Sequence, residues 1–400
     1  MFETGLIEAG KTIGSLFLNP LSYWLLLLGM ILGFKRVKKE RNHFGTKVFD
    51  VFSEFKNTWI LSVCFGLILS IVMVGIGVVF SYETVLVLSG IIILFSLIAG
   101  LTLLSPAYTI GVLFFILWLA PFIMEYQTFF TADLFSEVNF TGIVILLGLL
   151  LFIEGFLYFR VRRNETFPEL SLSSRGGWIG QLRMKKILFL PFLLVVPTGM
   201  ITPFASFWPY FSVGDEQTFS IIILPFVLGI EQVVRGTLPE LAAKRMAKPL
   251  FLLASIVLVL GFLSMYVTWL TLLAIVFAVA GREFINFRYR SDEQNKKPYF
   301  CQTEKGITVL SVIPGTPASR LDIQVGEIIS KVNGIKINSA DQFYEALQES
   351  RASFKLDVLD ENGELRFVQS VLYEGEHHEL GLLFVTAPHH QKSIQQVVGQ

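Results

Sequence analysis

The chain has 400 residues, a formal net charge of zero, and 53% hydrophobic against 16% charged residues. That balance is too apolar for a soluble protein and calls for several membrane spans, while the neutral charge supplies no basic field to gather nucleic acid. With only two cysteines, Cys64 and Cys301, a disulfide framework is excluded as an organising principle.

Residues 1–15 are slightly acidic. The first apolar run, 16–34, reads as a retained span, since no A-x-A cleavage site is present; Asn19-Pro20 stands near its start and Tyr23-Trp24 suits an interfacial belt. Residues 35–47, KRVKKERNHFGTK, carry six basic residues against one acidic and read as a loop. Apolar runs at 59–80, 85–104, 107–124, 141–159, 187–204 and 219–234 are each close to the ~20 residues that a helix needs to cross the hydrocarbon.

The connecting loops fall into two sets. Those at 35–47, 160–186, 235–248 and 282–297 are basic, and those at 81–84, 125–140 and 205–218 hold no Lys or Arg. The sets alternate as the positive-inside rule requires, which places the basic loops in the cytoplasm and the N-terminus outside. The uncharged stretch 249–281 would make a helix about 50 Å long if unbroken. Two crossings turning near 261–268 keep the basic 282–297 segment inside, for nine passes in all, or eight if the first run does not cross fully. The division expected is a multi-pass transmembrane domain over 1–281, a charged linker over 282–297, a small domain over 298–388, and a polar, disordered tail over 389–400.

Within the small domain, residues 305–334 read KGITVLSVIPGTPASRLDIQVGEIISKVNG. An apolar, β-branched strand at 307–312 leads to Pro314-Gly315, and Thr316 caps a short helix with Pro317 at its first position. Gly326-Glu327 opens a second strand that Asn333-Gly334 closes with hairpin turn chemistry. Ser339 and Gln342 form a capping-box pattern opening a helix that carries Phe343 and Leu347, and 354–358 alternates as a strand before Asn362-Gly363. This order resembles a PDZ domain. The fold class expected is a polytopic α-helical membrane domain followed by a small α+β PDZ-like domain.

The resemblance directs the search for a site. PDZ domains bind a peptide by adding it to an exposed strand beside a helix. Here the usual third strand comes first, so the strand carrying the ligand loop falls last, over 378–385. Leu380, Gly381, Leu382 and Leu383 match the hydrophobic-Gly-hydrophobic loop, and the helix with Phe343 and Leu347 forms the opposite wall. Gly381 supplies the backbone freedom that lets successive N–H groups face an anion, and a Gly381→Val substitution should strain that loop alone. No His opens the helix, and Glu379 disfavours a carboxylate, so internal segments and C-termini both remain open as ligands.

No catalytic, cofactor or metal motif is found. All five His residues lie outside the apolar runs, which removes an intramembrane HExxH, and Walker A and Rossmann glycine patterns are missing. The chain reads as a non-enzyme. Glu154 and Glu231 interrupt apolar runs, and with Pro191, Pro197, Pro203 and Pro225 they frame the alternative of a transporter or channel with a regulatory PDZ domain. The blander expectation is that Glu154 snorkels to a helix end and that Glu231 pairs with Arg235 along a helix.

A wider resemblance covers nearly the full chain. LFLNPLSYW at 16–24 and FKRVKKERNHFGTKVFD at 34–50 are similar to the opening of the MinJ family of multi-spanning Gram-positive division-site proteins. That resemblance implies an adaptor in the cytoplasmic membrane, at septum and poles, joining the curvature-sensing scaffold DivIVA to the ATPase MinD. Beyond the bilayer and such division proteins, it implies no cofactor and no nucleic acid.

Overall fold

In the computed structural model, which describes residues 2–98, 100–124, 138–173, 175–212, 218–301, 303–349, 353–371 and 380–389, the chain starts as two helices divided at Asn19. These are α1, Phe2–Leu18, and α2, Pro20–Phe44. The Asn19 side chain accepts from the Leu21 N–H at 3.0 Å, and Pro20 takes the first helical position, where its missing N–H costs nothing. Contrary to expectation, α2 continues through the basic 35–47 stretch as far as Phe44 and closes at Gly45, with φ 76°. Arg36 explains the extension: it pairs with Glu40 at 2.7 Å one turn on and with Glu54 at 2.9 Å across the following 3₁₀ turn, all three buried.

Four apolar helices follow: α3 (Trp59–Ile76), α4 (Tyr82–Ile98), α5 (Pro106–Met124) and α6 (Phe140–Phe159). The runs at 187–204 and 219–234, expected as spanning helices, are instead strands. β1 (Phe167–Leu172), β2 (Trp178–Ile201) and β3 (Phe219–Val234) form an antiparallel sheet in the order β1-β2-β3. Proline is the physical reason. Pro191 and Pro197 would each sit inside the first helix and Pro225 inside the second, at about 3 kcal/mol apiece. In the antiparallel ladder Pro191 faces Pro225 directly, so two residues without N–H groups oppose each other.

Such a hairpin has two edges to satisfy, and helices cover both. On α1, Thr12 Oγ1 donates to Ile221 O at 2.8 Å, and Ser15 Oγ accepts from Ile223 N at 2.9 Å. On α3, Ser70 Oγ accepts from Leu193 N at 2.9 Å, and a Cβ on Gly66 would lie 2.4 Å from Pro191 O. Open sheet edges do not occur against hydrocarbon, and these side chains satisfy backbone groups at Ile221, Ile223 and Leu193 along them. Ser70→Ala orphans the Leu193 N–H and is expected to cost about 1–3 kcal/mol. Thermal unfolding of the purified protein in detergent checks this, with exposed Ser255→Ala as a near-neutral control.

α7 (Pro239–Leu263) and α8 (Leu270–Asn295) are joined by a turn over 264–269, overlapping the expected one. The segment expected as a charged linker is mostly the end of α8. Five helices, α2, α3, α6, α7 and α8, are long and apolar enough to cross a membrane, and α4 and most of α5 are shorter apolar helices. Polar contacts separate two ends. At one, Asn139 Nδ2 reaches Val79 O and Phe211 O at 3.4 and 3.3 Å, and Ser264 Oγ meets Thr141 Oγ1 at 3.2 Å. At the other the basic stretches gather: Lys186 Nζ bonds Glu165 at 2.8 Å, Lys39 bonds Glu169 at 2.9 Å, and Glu293 accepts from the N–H groups of Arg235 and Gly236.

The remaining strands and helices form a second sheet-based unit: β4 (Ile307–Val312), α9 (Pro317–Arg320), β5 (Ile328–Val332), β6 (Ile335–Lys336), α10 (Ala340–Gln348), β7 (Ser353–Leu359), β8 (Leu365–Val371) and β9 (Leu382–Phe384). The strand order is β8-β7-β5-β4-β9, with β6 paired to β5. It rests on the basic end. Gly180 N bonds Phe300 O at 2.9 Å, the Asn164 side chain brackets Ile323 O and Val325 N at 3.1 and 3.0 Å, and Phe300, Leu310, Val325 and Val385 join the helical core.

Candidate peptide-binding site

The motif residues are structural first. Asn333 (φ 51°) and Gly334 (φ 86°) make the β5–β6 turn, and Asn333 also donates to Ala346 O at 3.0 Å and accepts from Lys355 N at 2.9 Å. Ser339 caps α10, accepting from Gln342 N at 3.3 Å. Glu327 accepts from Gln324 N at 2.9 Å and pairs with Arg366 at 2.8 Å, clamping the start of β5 to β8. Burial holds its carboxyl above the usual carboxylate range despite those bonds.

β9 ends the sheet beside α10, as the shifted strand order requires. Gly381 O accepts from Ile313 N at 2.8 Å and Leu380 O from Ala318 N at 3.0 Å, so the loop turns its carbonyls toward β4 and α9. Successive residues direct their backbone groups to opposite edges, which leaves those of Leu382 facing α10. There the Tyr344 hydroxyl donates to Leu382 O at 3.3 Å. This backbone edge, met among the described residues by the Tyr344 hydroxyl, is the candidate for strand addition.

The six residues singled out from the sequence divide. Leu380, Leu382, Phe343 and Leu347 come together, but as fully buried members of the domain core, with Phe343 edge-on to Phe384 at 5.0 Å. Gly381 has φ 86°, and a Cβ there would lie 2.0 Å from Thr316 Oγ1 and 2.3 Å from Thr316 Cβ. Its substitution therefore disturbs the cap of α9 as well as the loop, contrary to the expectation of strain in the loop alone. Leu383 points the other way, half-buried against Val48, Phe49, Phe167 and Ile313. Residues 378 and 379 of the expected strand, Glu379 among them, lie outside the described residues, as does the tail beyond His389.

Sequence reasoning missed Tyr344. It also missed that the solvent face of α10, next to the side that carries Tyr344, presents Asp341 and Glu345. Helical periodicity was a usable signal for that face, whereas the contacts onto Val48 and Phe49, more than 330 residues away, left none.

The intramembrane acids are both paired. Glu154 (α6) and Arg282 (α8) meet at 2.7 Å, both fully buried. Ser105 Oγ donates to Glu154 at 2.6 Å, while Asn286 accepts from Arg282 and from Gln232 Nε2. Glu154 is thus locked in the core and does not snorkel. Glu231, on β3 and not on a helix, pairs with Arg183 of β2 at 2.8 Å and not with Arg235. Among the described residues no group of three His, Cys, Asp or Glu is placed to hold a metal ion.

A PDZ-domain family profile matches residues 308–359, so the protein is of a definite class: a region of long apolar helices followed by a PDZ domain. The chain is 36% identical over 389 residues, 95% of each chain, to the cell division topological determinant MinJ of Bacillus subtilis (strain 168). It is also 24% identical over 379 residues to the probable cell division topological determinants MinJ of Lacticaseibacillus paracasei and of Lacticaseibacillus casei (strain BD-II), covering 92% of this chain and 97% of theirs. The chain belongs to the MinJ family.

Proposed function

We propose that this protein is a non-enzymatic, membrane-anchored scaffold of division-site selection, bridging the polar scaffold DivIVA and the ATPase MinD. In this reading 1–281 is the membrane domain, the end of α8 within 282–297 leads out of it, and the PDZ domain over 298–388 stands in the cytoplasm with the basic loops. The anchoring is supported by apolar side chains left exposed on the helices, such as Leu67 at 60%, Ile71 at 71% and Leu86 at 67%. The sidedness is supported by the gathering of the basic stretches and the PDZ domain at one end.

The observation that carries the binding role is the β9 edge, whose Leu382 backbone faces α10 and, among the described residues, accepts from the Tyr344 hydroxyl. The solvent face of the neighbouring α10 presents Asp341 and Glu345, and this acidic rim favours a partner segment bearing Lys or Arg. The pairing of Glu154 with Arg282 and of Glu231 with Arg183 favours a scaffold over a transporter, since both acids are already neutralised. Charge reversal of the exposed pair, Asp341→Lys with Glu345→Lys, tests the groove without touching the core. Co-purification of DivIVA or MinD with the full chain in mild detergent should fall about tenfold. Unchanged recovery of both partners would place their binding elsewhere.

A further inference from the structure

Between α7 and α8 lies a groove of about 660 Å³ that grades from cationic to apolar along the helix axes. Its first half is lined by Arg245, Lys248, Arg288 and Lys296 against one carboxylate, Asp292. Lys296 is paired with Glu293 at 2.7 Å, whereas Arg245, Lys248 and Arg288 have no ion-pair partner among the described residues. Its second half, toward the 264–269 turn, is lined by Leu252, Ile256, Phe277 and Phe284. Leu252 and Phe284 are 64% and 62% exposed, so the groove opens sideways from the helices. Pro249 has no N–H to give the Arg245 carbonyl, which leaves one backbone acceptor at the cationic end.

The cationic half lies at the end where the basic stretches gather: a Cβ on Gly236 would touch Lys296 Cβ at 2.4 Å, and Glu293 holds Arg235 N at 3.0 Å. The apolar half lies along the stretch of both helices that is long and apolar enough to be in hydrocarbon. We propose that this groove is a binding site for one anionic phospholipid, its phosphate among Arg245, Lys248 and Arg288 and an acyl chain along Leu252, Ile256 and Phe277. This rests on the membrane-anchored reading above. The grading argues for a lipid: three unpaired cations select an anion, while the apolar half has no counterpart in a free phosphate or an acidic peptide. A headgroup hydroxyl, as in phosphatidylglycerol, also has the Arg245 carbonyl to donate to. The site would tie the scaffold to anionic regions of the inner leaflet.

The test uses the full chain in nanodiscs of phosphatidylcholine with rising phosphatidylglycerol, reading retained lipid by native mass spectrometry. Retention of phosphatidylglycerol over phosphatidylcholine should be at least about tenfold. Arg245→Gln with Arg288→Gln should abolish it, whereas Lys305→Gln with Lys336→Gln, the same charge loss on the PDZ surface, should not. Leu252→Trp, which fills the apolar half and keeps every charge, should weaken retention as well. Equal losses in both double variants would mean bulk charge alone and overturn the proposal. Displacement of the lipid by soluble glycerol phosphate at equal concentration would overturn it in favour of a free-anion site. A chain that enters the discs without preference overturns this site only; one that fails to enter them overturns the anchoring beneath it.

Discussion

Arg282→Met is expected to destabilise the helical domain by about 3–5 kcal/mol, among the largest effects of any single substitution here. The reason is what it leaves behind. Glu154 is 0% exposed and, among the described residues, keeps only the Ser105 hydroxyl at 2.6 Å once both guanidinium bonds, at 2.7 and 3.0 Å, are gone. An uncompensated carboxylate in that setting costs far more than the pair contributes, because desolvation of each ion nearly offsets their attraction. Asn286 and Tyr108 then lose the order that Arg282 imposes, since Asn286 Nδ2 bonds the Tyr108 hydroxyl at 2.9 Å. Glu154→Leu combined with Arg282→Met removes both charges and should recover most of the loss. Thermal unfolding of the three variants in detergent, followed by size-exclusion of the survivors, checks the order: single far below double, double near the parent. A double variant no better than the single would show that the wider network through Asn286 and Gln232 holds the helices, not the charge balance.

Gly381→Val should unfold or loosen the PDZ domain, not merely blunt its groove. A β-branched residue at φ 86° carries roughly 1–3 kcal/mol of backbone strain. The new Cβ also lies 2.3 Å from Thr316 Cβ, an overlap that adds roughly 1–3 kcal/mol unless α9 moves. Thr316 Oγ1 donates to Ile313 O at 2.6 Å, so displacing it disturbs the end of β4 too. Hydrogen exchange on the full chain should show the amides of β4 and β9 losing protection together. Gly381→Ala with Thr316→Ala relieves the overlap and leaves the φ strain, and should fall between. Full protection in Gly381→Val would return the effect to the loop alone.

The PDZ domain was legible because its signals are local. Turn dipeptides at Asn333-Gly334 and Asn362-Gly363, Pro317 at the first position of α9 and the Ser339 cap each name their own conformation within four residues, whereas the Thr316 hydroxyl donates to Ile313 O and makes no cap bond to α9. The hairpin of β2 and β3 was not legible from hydropathy, because a strand packed on both faces reads as a continuous apolar run, as a spanning helix does. Proline was the available signal: Pro191, Pro197 and Pro225 fall inside the runs, and the placement of Pro191 opposite Pro225 becomes sensible only in a ladder. The groove was half legible. The segment expected to carry the loop does form an edge strand, β9, but period-2 alternation sends Leu382 and Phe384 into the core and Leu383 outward, so one loop cannot offer all four residues to a ligand. Tertiary pairings such as Glu154 with Arg282, 128 positions apart, carry no local trace at all.

The most direct test of the account is photocrosslinking in living cells from the groove itself. A benzophenone amino acid is placed at Glu345 or Gln348 on the exposed face of α10, and for comparison at Leu365, 51% exposed on β8 at the far edge of the same sheet. The account predicts crosslinks to DivIVA or MinD from the α10 positions and none from Leu365, in protein that still resides in the membrane fraction. Crosslinks from Leu365 with none from α10, or none from either while the protein is membrane-bound and division is normal, would contradict it.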